Sequence, residues 1–421
     1  MLNENCPPSP EISYEESDLE KRPSEKMCLT DKLFLDNYNF AANMCKLWGD
    51  GFNTLYEYSN IDLHRKFGKF WNVVGQTIDV NDRGWHSSYE IETNIGKDLL
   101  LNFTPERSAK ESKKARLHLG PRSGHQVGQL LNWQHGNDII EVDKEESKDT
   151  IILALDKMVP EKKYTLEDSF RRANQSIDYL IKKYDIQSIA LFGYCQGGWQ
   201  TYGAVAGRAV SDHSNPEIVK HLATFGAPSD FHGEGSDLDK YKHPNIENMS
   251  RLVAQINGGY IPGTFNIAGF NVLNNFEFFV PSGFIDLFKN IDNESYCKRF
   301  IDMRAWYFNP KGMREEYFVD GAQKKLFGEN SLLNGKLNYQ GKPIKVENIK
   351  SDRVDITHGK KRDNITSEEQ ARGIIPYLVN VPEVEVHGLN QGHIGIYVSR
   401  NSTPIMKNII HISDEILDKY V

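Results

Sequence analysis

Cys195 stands in the run Ser188-Ile-Ala-Leu-Phe-Gly-Tyr-Cys-Gln-Gly-Gly-Trp199. An apolar strand pattern leads in, an amphipathic helix pattern leads out, and Gly193 and Gly197 flank the cysteine at two residues' distance. This suits a nucleophile held at a tight strand-to-helix turn, where side chains at the flanking positions would crowd the backbone. The turn places the Gln196 N–H where it can join an oxyanion hole. The first helical turn then directs its positive end at the sulfur, which favours a thiolate. A buried structural thiol at a tight turn is the plainer alternative. The other cysteines, Cys6, Cys28, Cys45 and Cys297, lack such a setting, and Cys45 reads as a small buried hydrophobe within a helix.

A thiol that carries an acyl group needs a histidine, and the histidine an orienting acid. With a nucleophile on a strand-to-helix turn, the order is nucleophile, acid, histidine, each beyond the carboxyl end of a strand. Of 13 histidines, His393 lies in GLNQGHIGIYVSR just after the strand pattern VEVHGL, with Gly392 and Gly395 allowing close approach. It is the candidate base. His387 lies inside that strand and is expected to be packed or exposed. Asp363 follows the strand RVDITHG and precedes a helix whose start is marked by the capping spacing Ser367 to Gln370. It is the candidate orienting acid, and Asp355, within the strand, is the weaker choice. Lys360, Lys361 and Arg362 read as a solvated basic turn that could meet an anionic substrate. The loop His118-Leu-Gly-Pro-Arg-Ser-Gly-His125 follows the strand near residue 117, where a second oxyanion N–H is expected, with Arg122 and Ser123 as candidates. Arg122 could instead bind a carboxylate or phosphate. His118 and His125 have no carboxylate cluster near them in sequence, so no metal is expected, and no cofactor. No phosphate-binding glycine motif supports nucleotide use.

The elements around these residues alternate. Strand patterns ARLHLGP, DTIILALDK, SIALFG and HLATFGAP are interleaved with helices LEDSFRRANQSIDYLIKKY and CQGGWQTYGAVAGRAV. Short strands apolar at nearly every step, alternating with helices, call for a mostly parallel sheet covered on both faces. Alternation stops near Ser229 and resumes near Val354, with the helix SEEQARGIIPYLVN and, capped at Thr403-Pro404, a closing helix. The expected units are a flexible arm at 1–26, an N-terminal helical and hairpin extension at 27–110, a core at 111–234 and 346–421, and a cap or lid insertion at 235–345. In the extension, Leu33, Phe34, Tyr38, Ala41, Met44, Leu47 and Trp48 recur at helical spacing. In the insertion, Phe265, Phe270, Val272, Phe276, Phe278 and Phe279 suggest an apolar lining over the cysteine.

The 421 residues carry 50 Lys+Arg against 58 Asp+Glu, a net charge of -8 that lowers the expectation of nucleic-acid binding. Mean hydropathy is -0.56, against an integral membrane protein. Leu252–Phe276 is uncharged and long enough to span a bilayer, but five Asn and four Gly argue for broken helices or loops. Five cysteines without a CxxC make neither a disulfide framework nor a structural zinc site. The first residues show no basic-then-apolar leader pattern, so a reducing cytoplasm is the expected compartment, with association to an apolar granule or membrane surface as an option.

Gly193-Tyr-Cys195-Gln-Gly-Gly198 resembles the lipase-like box of the polyhydroxyalkanoate synthases, where cysteine replaces the lipase serine. Pro228–Phe231 resembles their proline–aspartate–phenylalanine turn, Gly341–Thr366 their aspartate segment, and Gly392–Ser399 their histidine segment. The likeness is closer still to a branch of synthase-related proteins of uncharacterised activity, through PRSGH at 121–125, CQGGW at 195–199, RDNIT at 362–366 and GHIGIYVS at 392–399, with Arg362 where glycine is usual. The resemblance implies an α/β-hydrolase fold with a mostly parallel central sheet, an inserted cap and an N-terminal helical extension. It implies Cys195 as acyl-carrying nucleophile, His393 as base and Asp363 as the aspartate that aids His393 or activates a hydroxyl.

The function so read is acyl transfer from a (hydroxy)acyl thioester such as an acyl-CoA to a hydroxyl acceptor, polyester synthase-like. Release to water would make the same triad a thioesterase or esterase, and a non-catalytic scaffold that keeps the fold is the third reading. A homodimer is compatible with the chain, though no motif marks an interface.

Overall fold

The computed structural model describes residues 29–78, 87–108, 112–122, 139–156, 163–265, 268–269, 281–307 and 312–421. The expected arm, Ser123, His125 and the aromatic run from Phe270 to Phe279 lie outside them.

Eight strands form one sheet: β1 (Glu90–Ile95), β2 (Asp98–Asn102), β3 (Lys114–Leu119), β4 (Ile151–Asp156), β5 (Ser188–Tyr194), β6 (Val219–Phe225), β7 (Arg353–Gly359) and β8 (Glu383–Leu389). Their spatial order is β1-β2-β4-β3-β5-β6-β7-β8. β1 and β2 run antiparallel, β2 is antiparallel to β4, and every pairing from β4 to β8 is parallel. The mostly parallel sheet expected from the apolar runs is therefore present. The core boundary expected at residue 111 moves back to β1. Both strands of the hairpin belong to the central sheet, β1 at its edge and β2 paired on its other side with β4.

Alternate residues of each strand feed two cores. Ile189 and Leu191 of β5 face helices α4 (Leu166–Tyr184) and α5 (Gln196–Val210), while Ala190, Phe192 and Tyr194 face α3 (Ile139–Glu146) and α9 (Thr403–Asp418). The α4 stripe is buried at Phe170, Ala173, Ile177 and Leu180, with Ile181 at its margin. Its start is set by a capping box in which Thr165 and Asp168 satisfy each other's backbone N–H groups. α9 begins one residue earlier than the Thr403 cap implied. Ser402 is its N-cap, without a side-chain bond, and Pro404 falls in the first turn. The helix expected after β7 is short, Glu368–Arg372, because Pro376 cannot continue it and the chain passes into a 3-10 turn at Ile375–Tyr377.

Between β6 and β7 the chain builds α6 (Pro244–Ile256), α7 (Pro281–Lys289), α8 (Glu294–Tyr307) and a π-helical run at Glu316–Gly328. Tyr317, Val319, Ala322, Leu326 and Phe327 of that run join the main core. Two N-terminal helices, α1 (Leu29–Ser59) and α2 (Asp62–Ile78), pack as a hairpin. Of the expected apolar face of α1, Ala41 and Met44 are half-buried, while its last two residues turn outward. Leu47 and Trp48 are 61% and 48% exposed, and Ala42, Cys45 and Gly49 are buried instead. Small residues let the helices approach closely. A Cβ on Gly49 would meet Asn72 Oδ1 at 2.1 Å, and one on Gly68 would meet Asn53 Oδ1 at 2.0 Å. Among the described residues no helix is long and apolar enough to cross a membrane.

Candidate active site

β5, β7 and β8 are three strands of one parallel ladder, so Cys195, Asp363 and His393 all emerge at the same sheet edge. Parallel α/β sheets bind ligands there, beyond the carboxyl ends of their strands.

Cys195 follows β5 directly and is half-buried, with φ 53° and ψ -116°. A non-glycine residue held at positive φ stores strain, and the flanking glycines make that turn sterically possible. A Cβ at Gly193 would come within 2.6 Å of the Gly197 carbonyl oxygen, and one at Gly197 within 1.9 Å of the Leu119 carbonyl oxygen. The elbow is pinned by Cys195 N–H donating to the Phe225 carbonyl at 2.9 Å, and α5 starts at the next residue.

Asp363 is buried in the loop after β7. Its Oδ1 accepts from the N–H groups of Ile365 (3.0 Å) and Thr366 (2.9 Å), and the carboxylate lies 3.1–3.2 Å from His393 Nδ1. Gly359 allows the acid and histidine loops to meet, since a Cβ there would lie 2.5 Å from Asp363 Cβ and 2.6 Å from the Gln391 carbonyl oxygen. The His393 imidazole is buried, and its ring packs 5.4 Å from that of Tyr194, which in turn stacks on Tyr397. Burial pushes His393 toward the neutral form. Asp363 and Cys195 more than reverse this, so its pKa is pushed up to about 10. His393 Nε2 makes no hydrogen bond among the described residues. With Nδ1 turned to Asp363, Nε2 is the nitrogen left for the sulfur's side of the ring.

The loop after β3 also reaches the elbow. The Arg122 N–H donates to Gln196 Oε1 at 2.9 Å, so this candidate oxyanion donor is engaged by the side chain of the other candidate. The Arg122 guanidinium does not face a ligand. It pairs with Asp98 at 2.7 Å and the Tyr164 hydroxyl at 2.8 Å, with Tyr164's ring 4.0 Å beneath it. His118 lies in β3 rather than in the loop, and it has a carboxylate partner that sequence distance hid. Its Nε2 is 2.8 Å from Asp143, which also pairs with buried Arg116. Asp355 is buried in β7 and bonded by His221, His387 and Arg353, so it is committed away from the site, as is His387. Lys360, Lys361 and Arg362 are exposed beside Asp363. Sequence spacing gave no hint that Tyr194 would flank the imidazole. Its place beside Cys195 in GYC is the one signal that could have drawn attention to it.

Strand order, the strained elbow and the meeting of these loops define an α/β-hydrolase fold. No family model matches the chain. Its sequence is similar to the poly(3-hydroxyalkanoate) polymerase subunit PhaC of Haloferax mediterranei, 26% identical over 243 residues, covering 56% of this chain and 46% of that one. The same subunit from Allochromatium vinosum is 24% identical over 226 residues, covering 54% and 59%. The chain thus spans about half the length of the curated relatives it matches. Among solved structures, a carboxyl esterase from Tuber melanosporum superposes with a TM-score of 0.45 at 10% identity, covering 80% of this chain and 88% of that one. That superposition is loose, and the fold rests on this sheet's own strand order. The chain has the α/β-hydrolase sheet order and is similar in sequence, over about half its length, to polyhydroxyalkanoate polymerase subunits.

Proposed function

We propose that Cys195, His393 and Asp363 form a Cys-His-Asp triad that moves an acyl group from a (hydroxy)acyl thioester, such as an acyl-CoA, to a hydroxyl acceptor. The observation that carries this is the His393 imidazole, bound to Asp363 through Nδ1 and raised in pKa by both Asp363 and Cys195. Such a histidine can take the Cys195 proton and keep a thiolate beside it. The thiolate attacks the thioester carbon, the oxyanion is met by the Gln196 N–H at the elbow, and the C–S bond to the leaving thiol breaks. His393 returns the proton to the leaving thiolate. A hydroxyl acceptor then attacks the acyl-cysteine, giving its proton to His393, and the acyl oxygen ester leaves as Cys195 is regenerated.

A thiol suits thioester exchange, and the similar PhaC subunits are polymerases of 3-hydroxyalkanoates, which is acyl transfer of the same class. We place the insertion, residues 235–345, as the cover that restricts water. Its π-helical run carries Phe327 to within 6.2 Å of Trp199, ring to ring, one turn beyond the elbow. The second reading, a thioesterase or ester hydrolase, is favoured by the partial exposure of Cys195, which water could reach. Product analysis after feeding a short hydroxyacyl thioester separates them. Oligomeric ester supports a polymerising transferase, a single new ester a simple acyltransferase, and free acid alone contradicts the transferase reading.

A further inference from the structure

Tyr194 is the last residue of β5, and its main chain runs straight into Cys195. Its side chain, 3% exposed, lies on the face of the sheet that meets α9. There the hydroxyl donates to the His393 carbonyl at 3.3 Å, and the ring lies 5.4 Å from the imidazole. Tyr397, in the short helix Gly395–Val398 that follows His393, stacks on the Tyr194 ring at 4.7 Å and 19°. Tyr397 also packs edge-on against Phe225, 5.2 Å away. Phe225 is the last residue of β6, and its carbonyl accepts the Cys195 N–H at 2.9 Å. The contacts close a circuit: Tyr194 to Cys195 along the chain, Cys195 to Phe225, Phe225 to Tyr397, and Tyr397 back to Tyr194. Gly226 completes the seat, since a Cβ there would stand 3.3 Å from His393 Cε1 and Nδ1.

Asp363 bonds one edge of the imidazole, and a ring held only there can still pivot about that bond. Its plane, and the place of Nε2, are set by what holds the main chain and what packs on the ring. Tyr194 does both. Burial, with Cys195 and Asp363 close by, pushes its phenol well above the usual range, so the hydroxyl stays a donor. Proton transfer needs its partners within hydrogen-bond reach, and a misplacement of about 1 Å can cost ~10²-fold in rate. We propose that Tyr194 is a positioning residue for acyl transfer: its hydroxyl, on the His393 carbonyl, and its ring, beside the imidazole, set where Nε2 stands relative to the Cys195 sulfur. The residue that fixes the base is thus joined by one peptide bond to the nucleophile that the base serves. This rests on His393 being the base for Cys195.

Tyr194→Phe keeps the ring and removes only the hydroxyl. For transfer from a short hydroxyacyl thioester, kcat is expected to fall about tenfold, with KM within about twofold and the melting temperature little changed. Tyr194→Leu removes the aromatic ring as well and should bring the fall to about a hundredfold. The second readout is the downfield proton NMR signal of the His393 Nδ1–H bonded to Asp363, identified by its loss in His393→Gln. It should shift or broaden in Tyr194→Phe as the imidazole moves against Asp363, whereas a tyrosine that only fills the core would leave it in place. Unchanged kcat in Tyr194→Phe would overturn the proposal. So would a fall in kcat with the NMR signal unmoved, which places the effect elsewhere than His393, or a fall matched by a loss of folded protein. If the original protein never acylates Cys195, the functional reading fails instead. The NMR comparison still shows whether Tyr194 sets the imidazole, so the two failures are distinguishable.

Discussion

Asp363 accepts two main-chain N–H groups and turns the rest of its carboxylate to His393 Nδ1. Replacement by Asn can keep the loop, because an amide oxygen still accepts from Ile365 and Thr366. The amide nitrogen would then face Nδ1 as a second donor and favour the wrong tautomer. Asp363→Asn is expected to lower the acyl-transfer rate by about 10⁴, the scale seen when an orienting aspartate is replaced this way, with little change in melting temperature. Steady-state rates and a thermal melt on one preparation check both halves. His393 makes a pH prediction with a definite sign. Its folded pKa, about 10, is above the unfolded value near 6.5, so protonation favours the folded state. That contribution is complete below about pH 6.5 and is lost as pH rises through about 10. Relative to His393→Gln, the protein should lose melting temperature progressively across that window, and a pH-independent difference would contradict the assignment. The placement of Cys195, Asp363 and His393 beyond strand ends at one sheet edge was legible because glycines and strand ends mark where loops leave the sheet. Asp98 and Tyr194 were not, because ion pairing across a hairpin and ring packing follow from tertiary placement that residue spacing does not encode.

The elbow is the element on which the site depends most. Its glycines were readable as a motif, and the reason is visible in the space they leave: at Gly197 the neighbour is backbone, the Leu119 carbonyl, which cannot swing aside as a flexible side chain could. Gly197→Ala should push α5 away from the end of β3, lower stability by about 1–3 kcal/mol and slow Cys195 labelling. Gly51, with nothing near its Cβ position, is the control, and Gly51→Ala should leave both unchanged or slightly improved. The Ser367 cap was equally readable, and Ser367 does accept from the Gln370 N–H at 3.1 Å. The Gln370 side chain, which a full capping box would turn back, instead reaches the Gly233 carbonyl. The α1 face was misread for a physical reason. Large apolar residues were taken as the inward ones, yet a close helix pair is made by Ala42, Gly49, Gly68 and Gly75, and Leu47 and Trp48 are left exposed.

At the scale of the molecule, the N-terminal hairpin docks on the insertion. Cys45, Val73 and Val74 share a separate apolar cluster with Leu287, Ile291, Phe300 and Ile301, and Arg65 and Lys69 reach Asp292 at its rim. The sequence presented these as two unrelated appendages, since nothing in either segment's periodicity names its partner. Leu287 is fully buried there, so Leu287→Ala should cost about 2–5 kcal/mol and expose the hairpin to proteolysis before the sheet. Loss of hairpin and sheet in one transition would show that they unfold as a unit. On the proposed reading the insertion is the cover over Cys195, and the N-terminal hairpin packs against that insertion. The most direct measurement is peptide mass after incubation with a short hydroxyacyl thioester. The account predicts one added acyl mass on the peptide holding Cys195, release of free thiol, and loss of both signals in Cys195→Ala. An unmodified Cys195 in folded protein across several acyl-chain lengths, or the acyl group on another cysteine, would contradict it.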